Sequence, residues 1–182
     1  MSFEFAGHYA QIPLGPLASR WLEAEELELT HGPDDSFACV GLENSAGASP
    51  NRELLQMLSS QGGRAIYLCI EASEGCFEYQ HWHDGQRTRT LGFVAGQGWQ
   101  EAEGEPEPWE RECFFNAPEE PDAYLHQLQQ EWKDLEALAR ERERLNEIWA
   151  SGRIQIGLPL PEAQEERAAQ LLANFYGFEL FP

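Results

Sequence analysis

The sequence predicts an α+β fold: a mainly antiparallel sheet of about 5–6 strands, a short helix, one long amphipathic helix and a C-terminal helix. Strand-like segments, either alternating or wholly apolar, make up about half of residues 3–103. After residue 121, apolar residues recur every three or four positions, which is typical of amphipathic helices. We therefore expect one domain, residues 1–182, with a sheet-rich part (1–120) that holds one helix and a helical part (121–182).

The first half of the chain predicts strands on either side of one helix. Residues 3–12 form a first strand, residues 20–30 fit either a short helix or a strand, and residues 36–43 form the next strand. A helix follows over residues 50–60, because Pro50 suits a first helical turn and two glycines follow Gln61. Residues 64–72 contain six consecutive apolar side chains, which predicts a central strand buried on both faces.

A β-hairpin is predicted over residues 75–95. Its two strands, 75–83 and 86–95, are joined by Asp84-Gly85, a pair that favours a type I′ turn. A further strand is expected at residues 99–103, stopped by two prolines. This register predicts two cross-strand pairs, an exposed Trp82 opposite Arg87, and Gln80 opposite Arg89.

The helical part begins with one long helix, predicted from residue 122 to about residue 151. A short strand at 153–158 and a last helix at 162–176 follow, with Phe175 on the buried side of that helix. The long helix carries an apolar stripe that is suited to pairing with a second copy or with another helical protein. Its members are Leu125, Leu128, Trp132, Leu135, Ala139, Leu145 and Trp149.

The charge of the chain is strongly negative and unevenly distributed. Its 182 residues hold 32 acidic and 12 basic side chains, giving a net charge of −20 and a pI near 4.4. So few basic residues predict no direct binding to nucleic acid. Residues 1–122 hold 22 acidic and six basic side chains, so they carry most of this excess. The acidic residues are densest in residues 101–110, which hold five carboxylates and one tryptophan.

This acidic block predicts a surface that binds a basic protein. The most favoured hypothesis is a non-enzymatic inhibitory protein, such as a bacterial immunity protein that neutralises a basic toxin or a nucleic-acid enzyme. The alternative is a solvated loop with Trp109 packed inward and no partner. The predicted contact residues are Glu101, Glu103, Glu105, Glu107, Glu110, Trp109 and Trp82.

Two further functions remain open from the sequence. The long helix favours a structural or accessory protein that self-associates as a homodimer. His81 and His83 lie two residues apart on a predicted strand, a spacing that suits metal ligands, so a small metal-dependent enzyme is the third hypothesis. No third ligand is placed beside them, and neither a nucleophile elbow nor a phosphate-binding glycine loop is present, so no cofactor is expected.

Cysteine and hydropathy patterns predict a cytoplasmic protein. Residues 1–5 resemble no signal peptide, and the longest apolar run is far shorter than a membrane span. The four cysteines form no CxxC pair, so free thiols are expected, with Cys69–Cys76 or Cys39–Cys113 disulfides as the alternative.

Two segments carry a resemblance to known proteins. Residues 77–85, FEYQHWHDG, and residues 103–110, EGEPEPWE, together resemble a group of uncharacterised bacterial proteins that share such a hairpin followed by such a segment. This resemblance implies a bacterial origin and a shared structural unit. It implies no activity and no site residue.

Overall fold

A computed structural model describes residues 4–43, 48–61, 63–131 and 134–180. These residues form an α+β fold, as predicted. The described strands are β1 (Glu4–Gln11), β2 (Phe37–Glu43), β3 (Arg64–Glu71), β4 (Cys76–His83), β5 (Gln86–Val94) and β6 (Gly98–Gly104). The described helices are α1 (Pro16–Ala24), α2 (Arg52–Ser59), α3 (Pro108–Phe114), α4 (Glu120–Glu131), α5 (Leu135–Ser151) and α6 (Glu165–Tyr176).

The six described strands form one sheet in the order β2-β1-β3-β4-β5-β6, and every neighbouring pair is antiparallel. β3 lies inside the sheet, and residues 65–70 are all buried. The prediction of a central strand buried on both faces is therefore confirmed. β6 is at one edge of the sheet and carries the first part of the acidic block.

The hairpin between β4 and β5 has the predicted turn but not the whole predicted register. Asp84 and Gly85 have φ angles of 51° and 73°, which a type I′ turn requires. Trp82 faces Arg87 as predicted, but the structure buries Trp82 to 9% exposure. Beyond that pair the register shifts, so Arg89 opposes His81.

The predicted Gln80–Arg89 pair is wrong because β5 contains a β-bulge. Thr88 is the extra residue, and its hydroxyl donates to the backbone carbonyl of His81 at 3.1 Å. Gln80 consequently opposes Thr90. Since one extra residue exchanges the two faces of a strand, the bulge turns the Arg89 side chain toward α3.

Helices cover the two faces of the sheet in pairs. α1 and α2 pack on one face, where Leu22, Leu54, Leu55 and Leu58 are buried. α3 and α6 pack on the opposite face, where their buried side chains and those of the sheet form an aromatic core. Its helix-borne aromatic members are Trp109, Phe114 and Tyr176.

The prediction of a single helix before residue 120 is wrong, because α1 and α3 are helices as well. α1 begins at Pro16, and α3 begins at Pro108, a residue expected only to stop a strand. Proline fits the first turn of a helix, where its missing N–H has no intrahelical acceptor. α3 is further stabilised by a capping box between Glu107 and Glu110.

The predicted single long helix is also wrong, because the chain is not helical at Asp134. That residue has φ −87° and ψ 102°, and its carboxylate accepts the backbone N–H groups of Glu136 and Ala137. α4 and α5 instead pack on each other around Leu125, Leu145 and Ile148, which are buried. Part of the stripe expected to bind a second copy is therefore used within the chain, and Trp132 lies outside the described residues.

Replacing Asp134 with alanine is expected to lower the free energy of unfolding by about 1 kcal/mol, the usual value of an N-cap side chain. Asp134→Asn keeps an acceptor oxygen and is expected to lose less than half of that amount. Urea unfolding monitored by circular dichroism measures both. Equal stability of Asp134→Ala and the parent protein would contradict a helix start at this residue.

The end of the chain departs from prediction in two details. Residues 153–158 form no strand, although Gly157 N and Leu158 O each make one backbone hydrogen bond to Trp99, at 2.7 and 2.9 Å. In α6 the buried ring is Tyr176, while Phe175 is 48% exposed. None of the described helices is both long and apolar enough to cross a lipid bilayer.

Candidate functional site

The structure separates the seven predicted contact residues. Glu101, Glu103 and Glu105 are exposed on β6 and just after it, as expected for a binding surface. Trp109 and Glu110 are buried at 2% and 1% exposure, and Glu107 is largely buried. Trp82 is buried on the α1–α2 side of the sheet. The inward packing of Trp109 is thus confirmed, and Glu107 and Glu110 also point away from the surface that the block was expected to form.

Glu110 forms a buried ion pair with Arg89. The guanidinium donates to both carboxylate oxygens, with Nε–Oε1 at 2.7 Å and Nη2–Oε2 at 2.6 Å. Its Nη1 donates to the carbonyls of Glu103 and Gly104 at 2.9 and 3.0 Å. Burial raises the pKa of Glu110, and the neighbouring guanidinium opposes that change. Arg89 therefore joins β5, the end of β6 and the start of α3.

The side chain of Glu107 points into the α3–α6 core, where it accepts hydrogen bonds from four side chains. Its Oε2 accepts from the Tyr79 hydroxyl at 2.6 Å, the Trp109 indole at 2.8 Å and the Tyr176 hydroxyl at 2.9 Å. Its Oε1 lies 2.5 Å from Nδ1 of His81. Burial alone would raise the pKa of Glu107, but these donors, His81 foremost, outweigh it and lower the pKa.

This arrangement determines where the donors' protons lie. Because Glu107 is held as a carboxylate, Nδ1 of His81 carries the proton that it shares with Oε1. Burial raises the pKa of Tyr79 well above its ordinary value and raises that of Tyr176, so both keep their hydroxyl protons. Nε2 of His81 is buried and has no hydrogen-bond partner among the described residues. In the neutral ring it is an unused acceptor.

A cavity of about 480 Å³ adjoins this network at the end of β4. We call it the His81 cavity. Besides His81 it is lined by side chains of both charges and by aromatic rings, among them Arg64, His83, Glu105, Glu107, Phe175 and Tyr176. A volume of this size suits a small organic molecule.

The histidines predicted as metal ligands are not arranged as a metal site. Nδ1 of His81 is engaged by Glu107, and His83 Nε2 lies 3.8 Å from the Asp84 carboxylate. Within the part of the chain that the structure describes, no group of three or more His, Cys, Asp and Glu side chains is placed to hold a metal ion. The described residues therefore give the metal-enzyme hypothesis no support.

On the opposite face of the sheet, three neighbouring strands place two glutamates around a glycine. Glu78 of β4 pairs with Gly92 of β5, which in turn pairs with Glu101 of β6. The glycine leaves a gap, and Glu71, Glu78 and Glu101 line a cavity of about 310 Å³ there. Burial raises the pKa of Glu78, and the charge of Glu101 adds to this effect. We call this region the acidic groove.

Comparisons with known proteins add no name to these sites. The chain matches no family model, no curated protein and no solved structure.

Proposed function

We propose that the protein is a non-enzymatic acidic binding protein that captures a basic protein partner in the acidic groove. The observation that carries this proposal is the juxtaposition of Glu71, Glu78 and Glu101 around the gap at Gly92. A lysine or arginine side chain of a partner fits such a gap, because it brings hydrogen-bond donors and the opposite charge.

The electrostatics of the groove support a cationic occupant. The raised pKa of Glu78 indicates that its charged form is penalised by burial and by Glu101. Arg52 and Arg87 oppose that penalty only in part, and Arg87 is itself paired with Glu103 at 2.8 Å. A cation from a partner would stabilise the ionised form of Glu78 directly. The net charge of −20 would also accelerate the encounter with a basic protein.

We also propose a class for this binding protein. A bacterial immunity protein that blocks a basic toxin or a nucleic-acid enzyme has the required chemistry, because its carboxylates occupy sites meant for phosphates. We place it in the cytoplasm. The free state of Cys39, Cys69, Cys76 and Cys113 supports a reducing compartment.

Neutralising the groove is expected to weaken partner binding by about tenfold or more, because three charge contacts are lost. The variant is Glu71→Gln/Glu78→Gln/Glu101→Gln. Partners are captured from an extract of the native host at about 50 mM salt, identified, purified and titrated against each protein by calorimetry. The captured protein is expected to be basic, with an affinity that falls as salt rises.

A matched variant separates the groove from the overall charge. Glu23→Gln/Glu143→Gln/Glu147→Gln removes the same charge from exposed helix positions. It is expected to slow association slightly and leave the dissociation rate unchanged. Equal losses in the two triple variants would show that only net charge matters. Undiminished binding by the groove variant would refute the proposal.

A further inference from the structure

Some polar side chains of the His81 cavity have hydrogen-bond or ion-pair partners within the chain, and others have none. The side chains without partners indicate the kind of ligand that the cavity would bind. Its two carboxylates are already engaged: Glu107 accepts from four side chains, and Glu105 accepts from Nη2 of Arg153 at 2.5 Å. Glu107 therefore has little capacity left for a cationic ligand, and Arg153 offsets the charge of Glu105. Such a ligand would also meet the positive charge of Arg64.

Three groups of the cavity remain available. Nε2 of His81, on a side chain that is 7% exposed, has no hydrogen-bond partner among the described residues, and in the neutral imidazole it is an acceptor. Arg64 is exposed and forms no ion pair among the described residues. Phe175 exposes nearly half of its surface, and its ring centroid lies 4.9 Å from that of Tyr176. The cavity thus offers an acceptor, a cation and an aromatic surface.

We propose that the His81 cavity binds a small planar organic anion that carries an N–H or O–H donor. The anionic group pairs with Arg64, the donor reaches Nε2 of His81, and the ring packs on Phe175. Nε2 exposes less than 1 Å² of surface, so this binding mode requires a lining side chain to move aside. This site lies on the α3–α6 side of the sheet and is independent of the acidic groove.

The β-bulge at Thr88 gives this placement a structural basis. The bulge lies opposite the step from His81 to Trp82, and the Thr88 hydroxyl donates a hydrogen bond to the His81 carbonyl. Thr88 itself lines the cavity. Bulges next to binding sites commonly redirect side chains at the rim of a sheet. Here Arg89 is directed to Glu110, which leaves Arg64 as the cation of the cavity.

The test uses 4-hydroxybenzoate as the probe, since it combines a ring, a carboxylate and a hydroxyl donor. Titration of ¹⁵N-labelled protein is followed by NMR of the backbone amides and of the His81 ring nitrogens. We expect saturable shifts around His81, with a Kd of about 1 mM. Benzoate lacks the donor and is expected to bind about fivefold more weakly. 4-Hydroxybenzamide lacks the charge and is expected to bind about tenfold more weakly.

Exposed lining residues give variants that are expected to fold. Arg64→Gln is expected to weaken binding of 4-hydroxybenzoate about tenfold, and Phe175→Ser about threefold. Arg20→Gln, an exposed position on α1, serves as the matched control and is expected to change nothing. The proposal is overturned if 20 mM probe, roughly twenty times the expected Kd, gives no saturable shift at His81. It is equally overturned if Arg64→Gln and Arg20→Gln bind the probe alike.

Discussion

Replacing Arg89 with methionine is expected to lower the free energy of unfolding by about 3–5 kcal/mol. Methionine keeps much of the volume of the side chain but leaves Glu110, 1% exposed, as a buried carboxylate without its cation. The carbonyls of Glu103 and Gly104 also lose the Nη1 donor. Urea unfolding at pH 7, followed by tryptophan fluorescence, measures the loss.

A second substitution separates the unpaired charge from the other losses. In Arg89→Met/Glu110→Gln, position 110 is neutral, and its amide oxygen can still accept the backbone N–H of Glu107 in the capping box. We expect the double variant to be more stable than Arg89→Met by about 1 kcal/mol or more, since no ionised group is left buried without a partner. A double variant that is no more stable than the single one would show that Glu110 is not ionised in Arg89→Met.

The sheet was largely predictable because its signals are local. The buried strand β3 is a continuous apolar run, and the turn before β5 is an Asp-Gly pair. The bulge at Thr88 has no such signal, because it depends on the pairing of two strands. One unpredicted residue thus reversed the face assigned to Arg89, and with it the ion pair that anchors α3.

At Asp134 a local signal was present, but it predicted the wrong structure. Apolar residues recur at helical spacing on both sides of it, so periodicity alone predicts one helix. The chain instead starts a new helix at an aspartate, a favoured N-cap residue, and lets α4 and α5 bury their apolar sides on each other. The competition between one long helix and a helix pair is decided by tertiary packing.

The candidate sites were less predictable than the fold. Five carboxylates in ten residues indicate a solvated surface, yet Glu107 and Glu110 turn inward. A signal for this existed: Pro108 follows Glu107, and Glu110 stands three residues beyond it, which is the spacing of a capping box with proline at N1. The partner Tyr176, far along the chain from Glu107, has no such signal.

The Glu107 network is expected to be the second large contributor to stability. Glu107→Gln is expected to lower the free energy of unfolding by about 2–4 kcal/mol, because several hydrogen bonds to a charged group are weakened together. If the amide oxygen takes the place of Oε2, the amide NH₂ meets the Nδ1 proton of His81. His81 then moves its proton to Nε2, a change that NMR of the ring nitrogens detects directly. Glu105→Gln, an exposed neighbour, is the control, with an expected effect within about 0.5 kcal/mol.

The pH dependence of this difference gives a sharper test. Because folding lowers the pKa of Glu107, the unfolded chain binds its proton more readily, and the stabilisation is lost as pH falls through the folded-state pKa. The stability difference between the parent protein and Glu107→Gln should therefore be largest above about pH 5 and shrink toward about pH 3. Glu78, Glu110 and Glu120 have raised pKa values and act in the opposite direction. They are present in both proteins, so their effects largely cancel, and a difference that stays constant down to pH 3 would show that folding does not lower the pKa of Glu107.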